Sequence, residues 1–205
     1  MHRTHADLYT EPAVTPASPD TRLGEIVAFT PIYAESGADA YTVAVYRTAD
    51  GTLCAGIGPS DREPFEAEHL WTLDGADAEG SSIQITSYSN VLGHDGFMLH
   101  FSTGDDFQTW YYYFDDTGIV RLLAQAGSVV WEPDLDGDGT RELLWRVSAV
   151  NAQQQTWFLF PYDGGLRLAD LNSRIRETYP NCDYLNLYCW GQDPDHITME
   201  AFTRP

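Results

Sequence analysis

The chain has 205 residues, is 43% hydrophobic and 13% aromatic, and carries a formal charge of −20 with a pI near 4.3. That length suits one domain or two small ones, and that apolar content builds a core, which excludes a disordered chain. All 11 basic residues are arginine, against 31 acidic residues; such a surface repels phosphate backbones and anionic lipid, so nucleic acid is excluded as a partner and cations are favoured.

The opening MHRTHADLYT lacks the apolar stretch of a signal peptide. EPAVTPASPD (11–20) follows, rich in Pro, Thr, Ser and Ala. Residues 1–23 are therefore expected to be a flexible linker, and 24–205 a single β-repeat domain. An export signal or lipid anchor is expected upstream of residue 1. The sequence holds no apolar run of about 18 residues, the length of a membrane-spanning helix.

From Gly24 onward, short runs of Val, Ile, Tyr, Phe, Trp and Thr alternate with Gly, Asp, Asn and Pro, which predicts strands. A first group covers Glu25–Phe29, Tyr41–Tyr46, Leu53–Gly56 and His69–Leu73. A second covers Ser82–Ser87, Phe97–Ser102, Thr109–Phe114 and Ile119–Ala124. A third covers Ser128–Trp131, Glu142–Val147, Thr156–Phe160 and Leu166–Leu168. TADGT (48–52), FDDTG (114–118) and YDGGL (162–166) are hairpin loops. One short helix is expected around Leu171–Glu177. The tail adds two strand-like pieces, YLNLYCW and HITMEAF.

The second and third groups align. Residues 97–123 overlay 142–168, and Trp110 and Trp157 fall at equivalent points, 47 residues apart. Four strands per unit with a period in the forties predicts an all-β chain of repeated four-stranded antiparallel meanders, a small or incomplete β-propeller, with a two-sheet β-sandwich as the alternative. Within TWYYYF (109–114), alternation puts Trp110, Tyr112 and Phe114 on one face and Tyr111 and Tyr113 on the other. A strand aromatic on both faces is expected to be covered on both sides. The functional alternative is an exposed platform for sugars.

Three cysteines occur. Cys182 and Cys189 suit a bridged loop or hairpin, expected if the protein is exported; the alternative is three reduced, buried thiols. Cys54, in TLCAGIG, is expected to be a free and unreactive strand thiol.

The sharpest chemical signal is DLDGDGTREL (134–143). Counted from Asp134, carboxylates fall at positions 1 (Asp134), 3 (Asp136), 5 (Asp138) and 9 (Glu142). Gly139 stands at position 6, where a sharp turn is needed, and Thr140 at 7 can offer its backbone carbonyl. Alternate spacing around a tight loop aims hard oxygens at one centre, the donor set that calcium takes; magnesium, which demands near-ideal octahedral geometry, fits less well. An EF-hand needs a bidentate Glu at position 12, and Trp145 stands there. The alternative is an acidic hairpin loop without metal.

This ten-residue pattern, set between two strands, resembles the calcium loop of FG-GAP/VCBS-type repeats, the integrin-α-like propeller family. The resemblance implies Ca2+ held by Asp134, Asp138, Asp136, Thr140 and Glu142, in a loop joining the first two strands of a blade. The equivalent loop of the preceding unit, SNVLGHDGF (89–97), keeps Asp95-Gly96 but lacks the aspartate series, and 205 residues are too few for the family's usual seven blades.

No nucleophile elbow, zinc-protease helix, phosphate loop or Cys-x-x-Cys occurs. His94-Asp95 is the one adjacent acid–base pair of interest, and neighbours on a strand point apart. No catalytic residue is therefore assigned. The sequence is read as a non-catalytic, secreted or cell-surface calcium-binding β-repeat module whose partner is a protein or a glycan. The alternative is a carbohydrate-active enzyme or lectin-like domain, which requires an exposed Trp or Tyr beside a carboxylate pair.

Overall fold

The computed structural model describes residues 6–18, 20–33, 40–61, 65–76, 82–103, 106–127, 130–135, 137–147, 155–171, 173, 177, 182–189 and 197–203. The chain opens with β1 (Ala6–Leu8). A first meander follows, with β2 (Leu23–Tyr33), β3 (Ala40–Thr48), β4 (Leu53–Pro59) and β5 (His69–Thr72). A second holds β6 (Ser82–Val91), β7 (His94–Thr103), β8 (Asp106–Phe114) and β9 (Val120–Gly127). A third holds β10 (Val130–Trp131), β11 (Leu143–Val147), β12 (Gln155–Tyr162) and β13 (Gly165–Asp170). The hairpin β14 (Cys182–Cys189) and β15 (Ile197–Thr203) ends the described strands. Leu171, Ser173 and Glu177 have helical backbone, where the sequence offers its short helix. Among the described residues no helix is long and apolar enough to cross a membrane.

The fold is all-β, and each meander forms one sheet in sequential strand order: β2-β3-β4-β5, β6-β7-β8-β9, and β10-β11-β12-β13 with β1 added beside β13. Sequential order follows from the short turns, because a tight hairpin can only join neighbours. Asp163 and Gly164 both take positive φ (52° and 74°), as a two-residue Asp-Gly hairpin loop requires. Trp110 lies on the third strand of the second meander and Trp157 on the third strand of the third, the equivalence expected from the repeat.

The chain divides into two compact units. One comprises Glu11–Ser89 and His94–Ala126; the other comprises Met1–Thr10, Asn90–Gly93 and Gly127–Pro205. In the first unit the sheets of the first two meanders share one core, the two-sheet arrangement. Val43, Val45, Leu53, Ala55 and Ile57 come from one sheet, and Phe97, Leu99, Phe101, Trp110 and Tyr112 from the other. Trp71 joins them, its ring 5.5 Å from Tyr112 and 6.3 Å from Phe97. β8 is covered on both faces: Trp110 and Tyr112 are buried in that core, while Tyr111, 1% exposed, packs on Tyr88 at 5.5 Å from the other side. These rings are packing rather than a sugar platform.

Residues of the segment expected as a linker carry sheet pairings. β1 pairs antiparallel with β13, Ala6 opposite Ala169. Pro16 bridges Trp71, the Ala17 N–H donates to the Leu70 carbonyl at 3.0 Å, and the Tyr113 hydroxyl donates to Glu11 Oε2 at 3.0 Å. Proline suits such an edge, since it lacks an N–H to lose.

A bridge between Cys182 and Cys189 does not fit the fold. Both lie on β14, at its two ends. Seven steps of extended chain put their Cα atoms about 23 Å apart at ~3.3 Å per residue, against about 7 Å for the longest disulfide. Cys54 is a free, buried strand thiol as expected. Burial, and then the negative charges of Asp50 and Asp74, raise its pKa, which disfavours the reactive thiolate.

Candidate metal centre

The loop from Asp134 to Glu142 connects β10 and β11, the first two strands of the third meander, and lies wholly in the second unit. Its shape follows from its composition. Gly137 and Gly139 have φ of 76° and 88°, a backbone that only glycine adopts freely. These two turns fold the chain over the Asp134 carboxylate. Asp134 Oδ1 accepts from the Gly137 N–H at 2.8 Å, and Oδ2 from the Gly139 N–H at 3.0 Å. Asp138 Oδ1 accepts from the Thr140 N–H at 2.7 Å. The far end is tied by Glu142: its N–H donates to the Pro133 carbonyl at 2.8 Å, and its Oε2 accepts from the Leu135 N–H at 2.8 Å.

These bonds bring three of the expected ligands together. One carboxylate oxygen each from Asp134, Asp138 and Glu142 lies within 4.8 Å of the others. Oxygens that share a calcium ion at about 2.4 Å sit up to roughly 4.8 Å apart, so the spacing admits one such ion. The donor chemistry fits as well: all three offer hard, anionic carboxylate oxygens. Asp138 is exposed, Asp134 half-buried, and Glu142 only 4% exposed. The buried glutamate immediately precedes β11, where Leu143 and Leu144 are both fully buried, so that end of the loop is anchored at the core and the aspartate end faces water. Asp136 lies outside the described residues. Thr140 is half-buried, in the loop between Gly139 and Arg141.

Two neighbours were not foreseen. Arg141 pairs with Glu132 at 3.0 Å, bracing the loop across its base. The β6–β7 turn meets the loop through Asn90, whose Nδ2 donates to the Gly139 carbonyl. Glu132 and Arg141 flank the loop closely enough in sequence to have been proposed. Asn90 lies 49 positions from its partner, and no local pattern announces it.

The other chemical candidates lie in the first unit. The His94 ring lies 3.9 Å from that of Tyr113, while the Asp95 side chain is exposed. The Tyr113 pKa is pushed up to about 12 by burial and then by its hydrogen bond to Glu11, so the hydroxyl stays a donor at neutral pH. His100 shares a 2.9 Å hydrogen bond with Thr109, and burial lowers its pKa. A cavity of about 440 Å³ in the first unit is lined by hydroxyl side chains, by Asp20, Asp50 and Arg22, and by Cys54. It holds two carboxylates, but no aromatic ring stands among its lining residues. No protein-family model, no curated protein and no solved structure matches this chain.

Proposed function

We propose that the chain is a calcium-stabilised β-repeat module whose loop chemistry is of the FG-GAP/VCBS type, and that it works outside the cell by binding a protein or a glycan, without catalysis. The observation that carries the reading is the approach of Asp134, Asp138 and Glu142 oxygens to within 4.8 Å of one another in a loop shaped by two left-handed glycines. Three carboxylates at that spacing repel each other, and a divalent cation relieves the repulsion. Extracellular calcium modules bind with Kd of about 10⁻⁴–10⁻³ M, so millimolar calcium outside a cell fills such a site and cytosolic calcium does not. That is the ground for placing the protein in a secreted or surface setting, alongside an acidic surface that favours cations.

The test is a set of thermal melts on metal-stripped protein in chelator, in 10 mM calcium and in 10 mM magnesium. Calcium at about ten to a hundred times Kd stabilises the folded state by about 1.4–2.7 kcal/mol through RT ln(1 + [Ca]/Kd). Magnesium is expected to do less. Coincident melts in chelator and calcium refute the reading and leave an acidic turn.

A further inference from the structure

The turn between β6 and β7 grips the acidic loop at its centre. Asn90 Nδ2 donates to the Gly139 carbonyl. The Arg141 N–H donates to the Asn90 carbonyl at 2.9 Å, and the Leu92 N–H donates to the Arg141 carbonyl at 2.8 Å. Val91 and Arg141 form a parallel bridge. These contacts fall on both sides of Thr140, the residue whose carbonyl is the expected neutral ligand.

The two-residue hairpin loop requires a left-handed backbone at positions 92 and 93, and the sequence places a leucine at the first of them. Leu92 and Gly93 both have positive φ, 53° and 84°, and Asn90 has 49°. Asparagine and glycine adopt this backbone readily, but leucine does not. A hairpin needing only closure would carry Asn or Asp at position 92. Leu92 is instead 4% exposed and Val91 fully buried, so apolar burial holds the strained turn against residues 139–141. Strain maintained by packing marks a position with a task beyond closure. The β6–β7 and β10–β11 connections occupy equivalent places in successive meanders; one carries the carboxylates and the other braces them.

We propose that the Asn90–Leu92 turn is a positioning element for the cation loop, fixing the backbone on either side of Thr140 so that its carbonyl is presented to calcium. The proposal rests on the calcium reading above and adds to it that affinity is set in part by a residue that is no ligand. A backbone ligand held in place before binding loses less freedom when the ion arrives.

The experiment titrates calcium into the metal-stripped full chain by calorimetry, comparing the wild type with Asn90→Gly. Glycine keeps the left-handed backbone and removes the side chain whose amide donates to Gly139. Losing one hydrogen bond that orders the loop is expected to weaken calcium binding about five- to tenfold, measured well below the melting temperature of both proteins. A wild type that binds while Asn90→Gly binds within about twofold of it overturns the positioning role. A wild type that takes up no calcium overturns the reading beneath it. Hydrogen exchange on the wild type alone decides the matter if the variant does not fold. Calcium at about ten times Kd is expected to slow the Leu92 and Arg141 amides about tenfold, and unchanged exchange at both, with calcium bound, refutes the proposal.

Discussion

Glu142→Gln separates the electrostatics of the loop from its occupancy. The side chain is 4% exposed and accepts from the Leu135 N–H at 2.8 Å, and glutamine keeps the shape and one acceptor oxygen while removing the charge. Without metal, the charge is a liability: unit charges within 4.8 Å of one another repel by at least about 0.9 kcal/mol in water and about 3.5 kcal/mol at an effective dielectric of ~20. Asp138 is exposed and Asp134 half-buried, so the lower figure applies, about 2 kcal/mol for the two partners together. Weakening a charge-assisted bond to a neutral one returns about 1 kcal/mol of that. In chelator the variant is therefore expected to be about 1 kcal/mol more stable, raising Tm by about 2–4 °C for a chain of this size. In calcium the sign of the effect turns. One anionic ligand fewer weakens binding about tenfold, so a wild-type gain of about 1.4 kcal/mol at ten times Kd falls to about 0.4 kcal/mol. Differential scanning calorimetry in chelator and in 10 mM calcium reads both quantities. A variant whose calcium increment equals that of the wild type shows that Glu142 is no ligand. A variant less stable than wild type in chelator shows that the carboxylates do not strain the loop.

Two further outcomes follow from the same structure. Asp115 accepts from the N–H groups of Thr117 and Ile119, from the Thr117 hydroxyl and from Arg121, and these partners, the Thr117 hydroxyl first, hold its pKa well below the usual range. Its contribution is present above the unfolded carboxyl value of about 3.9 and is lost as pH falls through the lower folded value; Asp115→Asn should thus melt below wild type at pH 7, with the gap closing toward pH 2, and a gap independent of pH refutes the assignment. Thiol counting should find three free cysteines per denatured chain and no mass change on reduction, with Cys54 unlabelled in the native state; an internal bridge between Cys182 and Cys189 would break the extended β14.

What the sequence determined by itself was local. Turns are set locally: Asp163-Gly164 closes its hairpin with both residues left-handed, and Gly51 and Gly118 turn the chain in the same way, so the succession of meanders and the β10–β11 loop could be read directly. The loop's chemistry was legible for the same reason: Asp134, Asp138 and Glu142 lie within nine positions, and the glycines between them dictate the curl that aims them together. Burial of both faces of TWYYYF also followed from alternation alone. Tertiary structure decided whatever depends on which surfaces meet. β1 was invisible because three residues carry no pattern, and its partner β13 lies more than 150 positions away. β2 runs through Pro31 to Tyr33, well past the Phe29 at which the sequence reading stopped, because an edge strand leaves one side of its backbone unpaired and tolerates proline there. Spacing leaves both a bridge and free thiols open for the two late cysteines, and the extended strand β14 that carries both holds their backbones apart. Asn90 is the extreme case. Its composition marks a turn and nothing more, and its amide meets the Gly139 carbonyl 49 positions away, because a hydrogen bond across that separation is set by tertiary packing rather than by either segment.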